Sequence, residues 1–432
     1  MKLLITNGRV VTPTGVVQHD VRIADGVIVE VGPHLTANGE TVIDAAGAWV
    51  GPAFVDLHTH LREPGREAAE TIASGANAGA LGGYGALVAM PNTEPALDNV
   101  ALVSYVMAQG DKTPLDIAVA GAITVARKGE SLAPMAEMAA LGVRLFTDDG
   151  TGVQNPLVMR RALDYARGLH VRLAQHCEDE TLADGGVMNE GPLSARLGLV
   201  GRPAIAEEIM VERDIALVRA TGGRIHFLHL STARSVALVR AAVAEGLDVT
   251  CEVTPHHLLL TEDDCATYDP QFKVHPPLRT ADDVAALRQA LRDGLIDAVA
   301  TDHAPHAPEL KDLPFDEAPA GMLGLEHAAA ITHEALGDDP VRFFAVLSRN
   351  PARIAQLRAS DDRVRLSAHG GDVAVGEDAN LVIFDPTITW KVDATTLASR
   401  ANNTPYNNRQ LHGKVRSTIV RGQLVVHEGA LQ

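Results

Sequence analysis

Between residues 51 and 350 the chain repeats one pattern: a short β-prone run, a polar loop, then an Ala/Leu-rich stretch with helical spacing. The runs fall at 53–61, 84–92, 116–124, 143–149, 170–178, 224–232, 248–257 and 298–306. Helix-period segments between them include 67–81, 156–167, 204–220, 235–245 and 281–291. Parallel strands need a crossover, and a helix supplies it. Eight such alternations predict an α/β fold of the (β/α)8 TIM-barrel type. An open doubly wound sheet is the competitor, but no G-x-G-x-x-G turn follows the first run.

Both ends of the chain read differently. Residues 1–50 carry short β-prone runs, with Asp25-Gly26 as a tight hairpin turn between residues 21 and 31. After residue 355 the pattern is again β-like, at 372–385 and 417–426. The economical expectation is one small β-sandwich domain built from 1–50 and 355–432, flanking a barrel at 51–354. Hydrophobic residues make up 46% of the chain and aromatics only 3%, so the core must be aliphatic. A net charge of −18 argues against nucleic acid or an anionic membrane as the main partner. It permits a small anionic substrate, because local cations and metal ions set the field inside a site. Cys177, Cys251 and Cys265 form no C-x-x-C pair. With no signal peptide and no membrane-spanning apolar stretch, they point to a cytoplasmic protein without a disulfide framework.

The polar residues cluster at the ends of the runs: His58 and His60, Asn92, Asp148 and Asp149, His176, His229, His256 and His257, and Asp302. In a β/α barrel the working groups sit at the C-terminal ends of the strands, so these residues are expected to converge. His58 and His60 share a strand face and can share a metal ion. Arg62 follows them, a cation suited to an anionic substrate. A hydrolytic two-metal site needs about four imidazoles, a bridging anion and a further carboxylate. His58, His60, His176 and His229 supply the first and Asp302 the last. The fourth run, Val143-Arg144-Leu145-Phe146-Thr147-Asp148-Asp149-Gly150, has no lysine. Asp149 is therefore the expected bridge, one oxygen to each metal, with Asp148 as its hydrogen-bonded neighbour. His256 and His257 are expected to support the seventh strand end. His226, out of phase with His229, should face the helices. Cys177 should lie in the core, and His303 should orient Asp302 or a partner.

The assembled residues resemble the bacterial type I dihydroorotases of the amidohydrolase superfamily over nearly the whole chain. The motifs that carry the resemblance begin with Val55-Asp56-Leu57-His58-Thr59-His60-Leu61-Arg62-Glu63-Pro64-Gly65, Met90-Pro91-Asn92-Thr93 and Phe146-Thr147-Asp148-Asp149-Gly150. They continue with His176-Cys177-Glu178-Asp179, Glu252-Val253-Thr254-Pro255-His256-His257 and Ala300-Thr301-Asp302-His303-Ala304-Pro305-His306. The resemblance implies reversible closure of N-carbamoyl-L-aspartate to L-dihydroorotate, the third step of pyrimidine synthesis. It implies zinc, one ion or two with two favoured, held by His58, His60, Asp149, His176, His229 and Asp302. Asp149 takes the place of the carboxylated lysine common among related amidohydrolases, and Asp302 carries the proton. Substrate contacts are implied for His60, Arg62, Asn92, His275, His306 and the main chain at Ala320 and Gly321.

Two positions depart from the family pattern. His275 stands where Asn is usual, and Ala320 where an aromatic residue is common before Gly321. The 307–321 segment, with Pro308, Pro314 and Pro319, is a candidate lid. A homo-oligomer is expected, and a complex with aspartate transcarbamoylase is compatible with the class. The alternatives are another cyclic amidase (an allantoinase or hydantoinase) and an inactive scaffold for aspartate transcarbamoylase. The missing bridging lysine and the presence of Arg62 and Asn92 speak against the first. The intact ligand set speaks against the second.

Overall fold

Each of the eight runs forms a strand, and each strand is shorter than its run. The computed structural model describes residues 2–358 and 366–432. The expected terminal domain, from 355 onward, therefore includes 359–365, which lie outside the described residues. The barrel strands are β1 (Phe54–Thr59), β2 (Tyr84–Ala89), β3 (Asp116–Gly121), β4 (Leu145–Thr147), β5 (Arg172–Gln175), β6 (Ile225–Phe227), β7 (Val249–Val253) and β8 (Ala298–Val299). They pair in chain order and in parallel. Thr59 bridges to His303, and the His60 N–H donates to the His303 carbonyl at 2.9 Å, which joins the first strand to the segment after the last. Buried Asp56 secures this seam by accepting from the Thr301 N–H at 2.9 Å and the Thr59 hydroxyl at 2.8 Å.

The five helical segments expected from the sequence correspond to α1 (Ile72–Leu81), α4 (Pro156–Leu169), α5 (Ile205–Thr221), α6 (Ala233–Ala244) and α7 (Ala281–Arg292). The first begins later than expected. Thr71 caps it, its side chain accepting from the Ser74 N–H, and residues 67–70 stay outside. Among the further helices, three complete the set that follows the strands: α2 (Val100–Gly110), capped by Asn99, α3 (Met135–Ala140) and α8 (Ala328–Leu336). Every strand is thus followed by a helix.

The barrel interior is filled by small and aliphatic side chains, among them Val55, Leu57, Ala86, Val88, Ala120, Leu145, Ala174, Leu228 and Ala298. Ala352, Ile354 and Leu357 join the same cluster and plug it. The few aromatics gather elsewhere. Trp49, Phe54, Phe343, Phe344 and Phe384 pack with ring centroids 4.7–5.9 Å apart, where the barrel meets a second sheet. Gly51 permits this seam, since a Cβ there would come within 2.4 Å of the Phe344 ring.

The second sheet draws its strands from both ends of the chain, between Lys2 and Pro52 and between Leu381 and Leu431. The two layers of the expected sandwich are parts of one continuous nine-stranded sheet. The sheet curls until the Asp25-Gly26 turn meets the Arg421-Gly422 turn. There the Ala379 N–H bonds the Gly26 carbonyl at 2.8 Å and the Gly422 N–H bonds the Ala379 carbonyl at 3.0 Å. Leu3, Ile5, Val21, Ile23, Val50, Leu381, Ile383 and Ile419 fill the fold between the layers.

Asp116, at the start of β3, pins this sheet to the barrel. It accepts from Arg421 Nη1 at 2.7 Å, the Ser367 N–H at 2.9 Å and His369 Nε2 at 2.8 Å. Burial alone would raise its pKa, but His369, Ser367 and Arg421 together hold the carboxyl down at about 2. A carboxyl depressed below its unfolded value of 3.8 adds stability above that value and loses it as pH falls through the folded pKa. The depression is worth about 2 kcal/mol at neutral pH. Asp116→Ala should therefore lower the denaturant midpoint at pH 7 and flatten the acid loss of stability between pH 4 and 2. An unchanged midpoint at pH 7 would remove Asp116 from this role.

Candidate metal centre and active site

The shortened strands explain the site. After each ladder ends, the next one to three residues turn inward at the C-terminal mouth. His60 lies one residue beyond β1, Asp149 two beyond β4, His176 one beyond β5, His229 two beyond β6 and Asp302 three beyond β8. His229 and Asp302 have left-handed backbones, with φ of 32° and 46°. This conformation costs a non-glycine residue about 1–2 kcal/mol and aims its side chain where a regular strand would not.

Asp149 lies at the centre, almost fully buried. Its Oδ2 is 3.2 Å from His58 Nε2 and 3.5 Å from His60 Nε2. Its Oδ1 faces the other way, 3.5 Å from His176 Nδ1 and 3.6 Å from His229 Nε2. Those separations are too long for good hydrogen bonds, and Oδ1 has no hydrogen-bond partner. Asp302 Oδ1 lies 2.9 Å from His60 Nε2 and 3.5 Å from His58 Nε2. Burial works against ionising either carboxyl, yet the surrounding imidazoles hold both below the usual range.

The ring nitrogens turned away from Asp149 are tied to partners. His58 Nδ1 bonds Glu252 Oε1 at 2.9 Å, and His60 Nδ1 bonds Asn92 Oδ1 at 2.8 Å. Carboxylate and amide oxygens only accept, so both rings carry hydrogen on Nδ1 and present the Nε2 lone pair. Glu252 also takes His226 Nε2 at 2.9 Å, and His226 Nδ1 meets Thr250 Oγ1 at 2.8 Å. His226 therefore faces inward, not toward the helices as expected. The left-handed turn at His229 shifts the strand phase after β6. Nothing in the sequence marked Glu252 beyond its place in a motif, because its partners lie 194 and 26 residues away.

One further expectation is corrected and another is narrowed. Asp148 does not bond Asp149; it accepts from the Ile123 N–H at 2.9 Å and the Thr124 N–H at 3.0 Å, fastening the end of β3 to the end of β4. His303 does not orient the Asp302 carboxylate. Its Nε2 meets Glu70 Oε2 at 3.2 Å and its Nδ1 accepts from the Gly324 N–H. His256 and His257 lie in a short helix, Pro255–Leu259, and His257 spans Thr254 Oγ1 and the Pro276 carbonyl. Cys177 is buried among core residues, as expected.

Every metal or substrate candidate except His58, which lies behind, lines one cavity of about 250 Å³. Arg62 is buried, and its Nε bonds the Pro305 carbonyl at 3.1 Å. Its two Nη groups have no partner among the described residues. Burial lowers its pKa only to about 10, so it stays cationic. His306 Nε2 donates to the Ala320 carbonyl at 2.8 Å. Burial and the nearby Arg62 charge bring its pKa to about 3, so the ring is neutral with Nδ1 as acceptor. His275 is likewise neutral, lowered to about 3 by burial and Arg202, and its Nε2 has no partner. Gly321 has φ of 133°, and a Cβ there would lie 2.7 Å from Ala304 Cβ. Its N–H goes to the Lys273 carbonyl and its carbonyl to Asn403 Nδ2. At this corner the Ala320 N–H is the backbone donor left without a partner among the described residues. Asn403 also accepts from the His306 N–H at 3.0 Å, a clamp from far along the chain that no sequence signal announced.

A family model described as dihydro-orotase-like matches residues 47–235. The chain is 45% identical over 438 residues to the dihydroorotase of Pelotomaculum thermopropionicum, covering 100% of both chains. It is 47% identical over 421 residues to that of Mycobacterium tuberculosis, covering 96% of each. The chain belongs to the dihydroorotase family. Its fold is also similar to that of an L-hydantoinase (dihydropyrimidinase) from Arthrobacter aurescens, with a TM-score of 0.86 at 25% identity, covering 100% of this chain and 97% of that one.

The dihydroorotase family is metal-dependent, and the donors here suit a divalent ion. His58, Asp149 and His229 offer ligand atoms within 4.8 Å of one another, and so do His58, His60 and Asp302. His58 thus belongs to both groups. His176 approaches them through its Nδ1 contact with His229 Nε2 at 2.9 Å. His58 Nε2 and Asp149 Oδ1 are buried without hydrogen-bond partners, a costly arrangement that an ion relieves. Removing the partner of a metal-ligating histidine typically weakens metal binding by about 10- to 100-fold. Glu252→Gln should do so here, read by competition against a chromophoric chelator. Unchanged affinity would sink the role given to Glu252.

Proposed function

We propose that the protein is a zinc-dependent dihydroorotase that interconverts N-carbamoyl-L-aspartate and L-dihydroorotate in pyrimidine synthesis. One observation carries this reading. The imidazole–carboxylate cluster and the free Nη groups of Arg62 open into the same cavity, as a cyclic amide bearing a carboxylate requires. The two oxygens of Asp149 face separate histidine pairs, which favours two ions, and imidazole-rich sites with carboxylates suit zinc. When bound, the metal supplies Lewis acidity toward water and the ring carbonyl.

The chain's own residues do the rest. In the hydrolytic direction Asp302, ionised and set beside His58 and His60, takes a proton from the attacking water and returns it to the departing ring nitrogen. In the synthetic direction it takes the proton from the carbamoyl nitrogen as the new amide bond forms and water leaves. Arg62 and the Asn92 amide hydrogens bind the carboxylate that ring closure leaves untouched. His306, neutral with Nδ1 as acceptor, suits a substrate N–H better than a carboxylate. The Ala320 N–H is the main-chain donor available to a substrate oxygen, and His275 supplies a neutral ring at the cavity wall.

The terminal segments 1–50 and 355–432 are read as a second domain that reaches the site through Asn403. No helix among the described residues is long and apolar enough to cross a membrane. Three buried free cysteines suit a reducing cytoplasm. A homo-oligomer and a complex with aspartate transcarbamoylase rest on the family resemblance alone.

Cyclisation of carbamoyl aspartate should vanish on chelation and return with zinc. Allantoin and hydantoin, assayed beside dihydroorotate, should not turn over; turnover of either in place of dihydroorotate refutes the substrate assignment. Asp302→Asn should cut kcat by about 10²–10⁴-fold with the fold intact. Near-wild-type turnover would remove Asp302 from proton transfer.

A further inference from the structure

Arg127 lies outside every role assigned so far, yet its surroundings are those of a binding residue. It is carried on an excursion from the end of β3, closed by a bridge between Thr124 and Leu132 and by the Val125 N–H to the Ser131 carbonyl at 2.9 Å. Two carboxylates fix the base of this loop. Asp148 takes the Ile123 and Thr124 N–H groups, and Asp98 takes the Ala126 N–H at 2.8 Å. Within it, Ala126 and Arg127 are consecutive non-glycine residues in the left-handed region, with φ of 53° and 57°. Such strain concentrates at ligand clamps and needs firm anchoring to persist.

The loop brings the guanidinium up behind Gly150, one residue back from the cavity lining. A Cβ built on Gly150 would lie 3.3 Å from Arg127 Nη2 and 3.5 Å from Asn92 Nδ2. Gly150 and Asn92 both line the cavity. Two N–H donors therefore converge on the space that this glycine leaves open. Neither is spent: Asn92 uses its oxygen on His60, and the Arg127 side chain makes no hydrogen bond among the described residues, although its Nε is buried. The neighbouring carboxylates are engaged elsewhere, Asp148 by β3 and Asp149 by the imidazoles. A guanidinium partly withdrawn from water, with its donors open beside a substrate cavity, is a site for a planar anion.

We infer that Arg127 is a further donor to the substrate carboxylate, acting with Arg62 and Asn92 from the Gly150 side of the cavity. This rests on the dihydroorotase reading. The carboxylate in question is present in both N-carbamoyl-L-aspartate and L-dihydroorotate, so the contact is equal in ground and transition states and acts on KM rather than kcat.

The test is steady-state kinetics of the zinc-loaded enzyme in both directions, with zinc content measured for each variant. Arg127→Met should raise KM for both compounds by about tenfold or more, with kcat within about threefold and zinc content unchanged. Arg127→Lys, which keeps the charge but loses the planar fork, should recover part of the effect and covers the case in which the first variant folds poorly. KM within about twofold of wild type in both variants overturns the inference alone, as does a fall in kcat accompanied by lost zinc, which would make Arg127 a support of the Asp148-Asp149 turn. A wild-type enzyme inert toward both compounds would remove the dihydroorotase reading, and this inference with it.

Discussion

One buried carboxylate organises the centre of this molecule. Asp149 has imidazoles on both sides, two facing each oxygen, and no hydrogen-bond donor of its own that satisfies Oδ1. In a low-dielectric interior such a charge is costly unless positive charge faces it. The protein answers in two ways. The imidazoles stabilise the anion, and burial notwithstanding two of them rise in turn, His58 well above its usual value and His176 to about 9, while burial keeps His60 below its own. Glu252 and Asn92 then fix which nitrogen of His58 and His60 faces inward. The geometry thus demands a positive centre near Asp149, and protons and metal ions compete for that place.

The same solution, a buried carboxylate tying two strand ends, recurs around the mouth of the barrel. Asp56 binds the end of β1 to the segment after β8, and Asp148 binds the end of β4 to the end of β3. Glu252, at the end of β7, reaches His58 on β1 and His226 on β6. Where ladders stop, backbone N–H groups lose their partners and buried ones must find others. Short acidic side chains meet that need, and beyond the ladders His229 and Asp302 turn inward in left-handed conformations. The mouth of the barrel is tied by these hydrogen bonds, whereas Ala352, Ile354 and Leu357 close the barrel floor by packing against its aliphatic interior.

This division also explains what could be read from the chain. Strand and helix periods are local, so eight strands and five helices were visible as patterns. His58-x-His60, Asp148-Asp149 and the other chemical residues stood out because they interrupt apolar runs. Strand ends were overextended, since the residues that leave the ladder to build the site look β-prone in sequence. Helix α2, with its Asn99 cap, is not among the segments named from the sequence. Glu252, Asn403 and the inward turn of His226 were not legible. Each depends on partners brought near only by closure of the barrel, and Glu252 in a β-run looks like any polar strand residue until His58 is placed against it.

The electrostatics of the cavity run against those of the whole chain. At a net charge of −18 the surface repels a dicarboxylate at long range, but screening limits that field to about 8–10 Å at physiological salt. Inside the cavity the balance reverses. Arg62 and Arg66 line the wall, while His275 and His306 are held neutral. Neutral histidines matter here: a protonated ring at either position would add charge without selectivity, whereas a neutral one presents a donor or an acceptor in a fixed direction. Arg202 keeps His275 neutral, and Arg62 with Lys311 keeps His306 neutral, both on top of burial. Arg62 is thus both an open cation on the cavity wall and, after burial, a cause of the low pKa of His306, so replacing it changes both properties together.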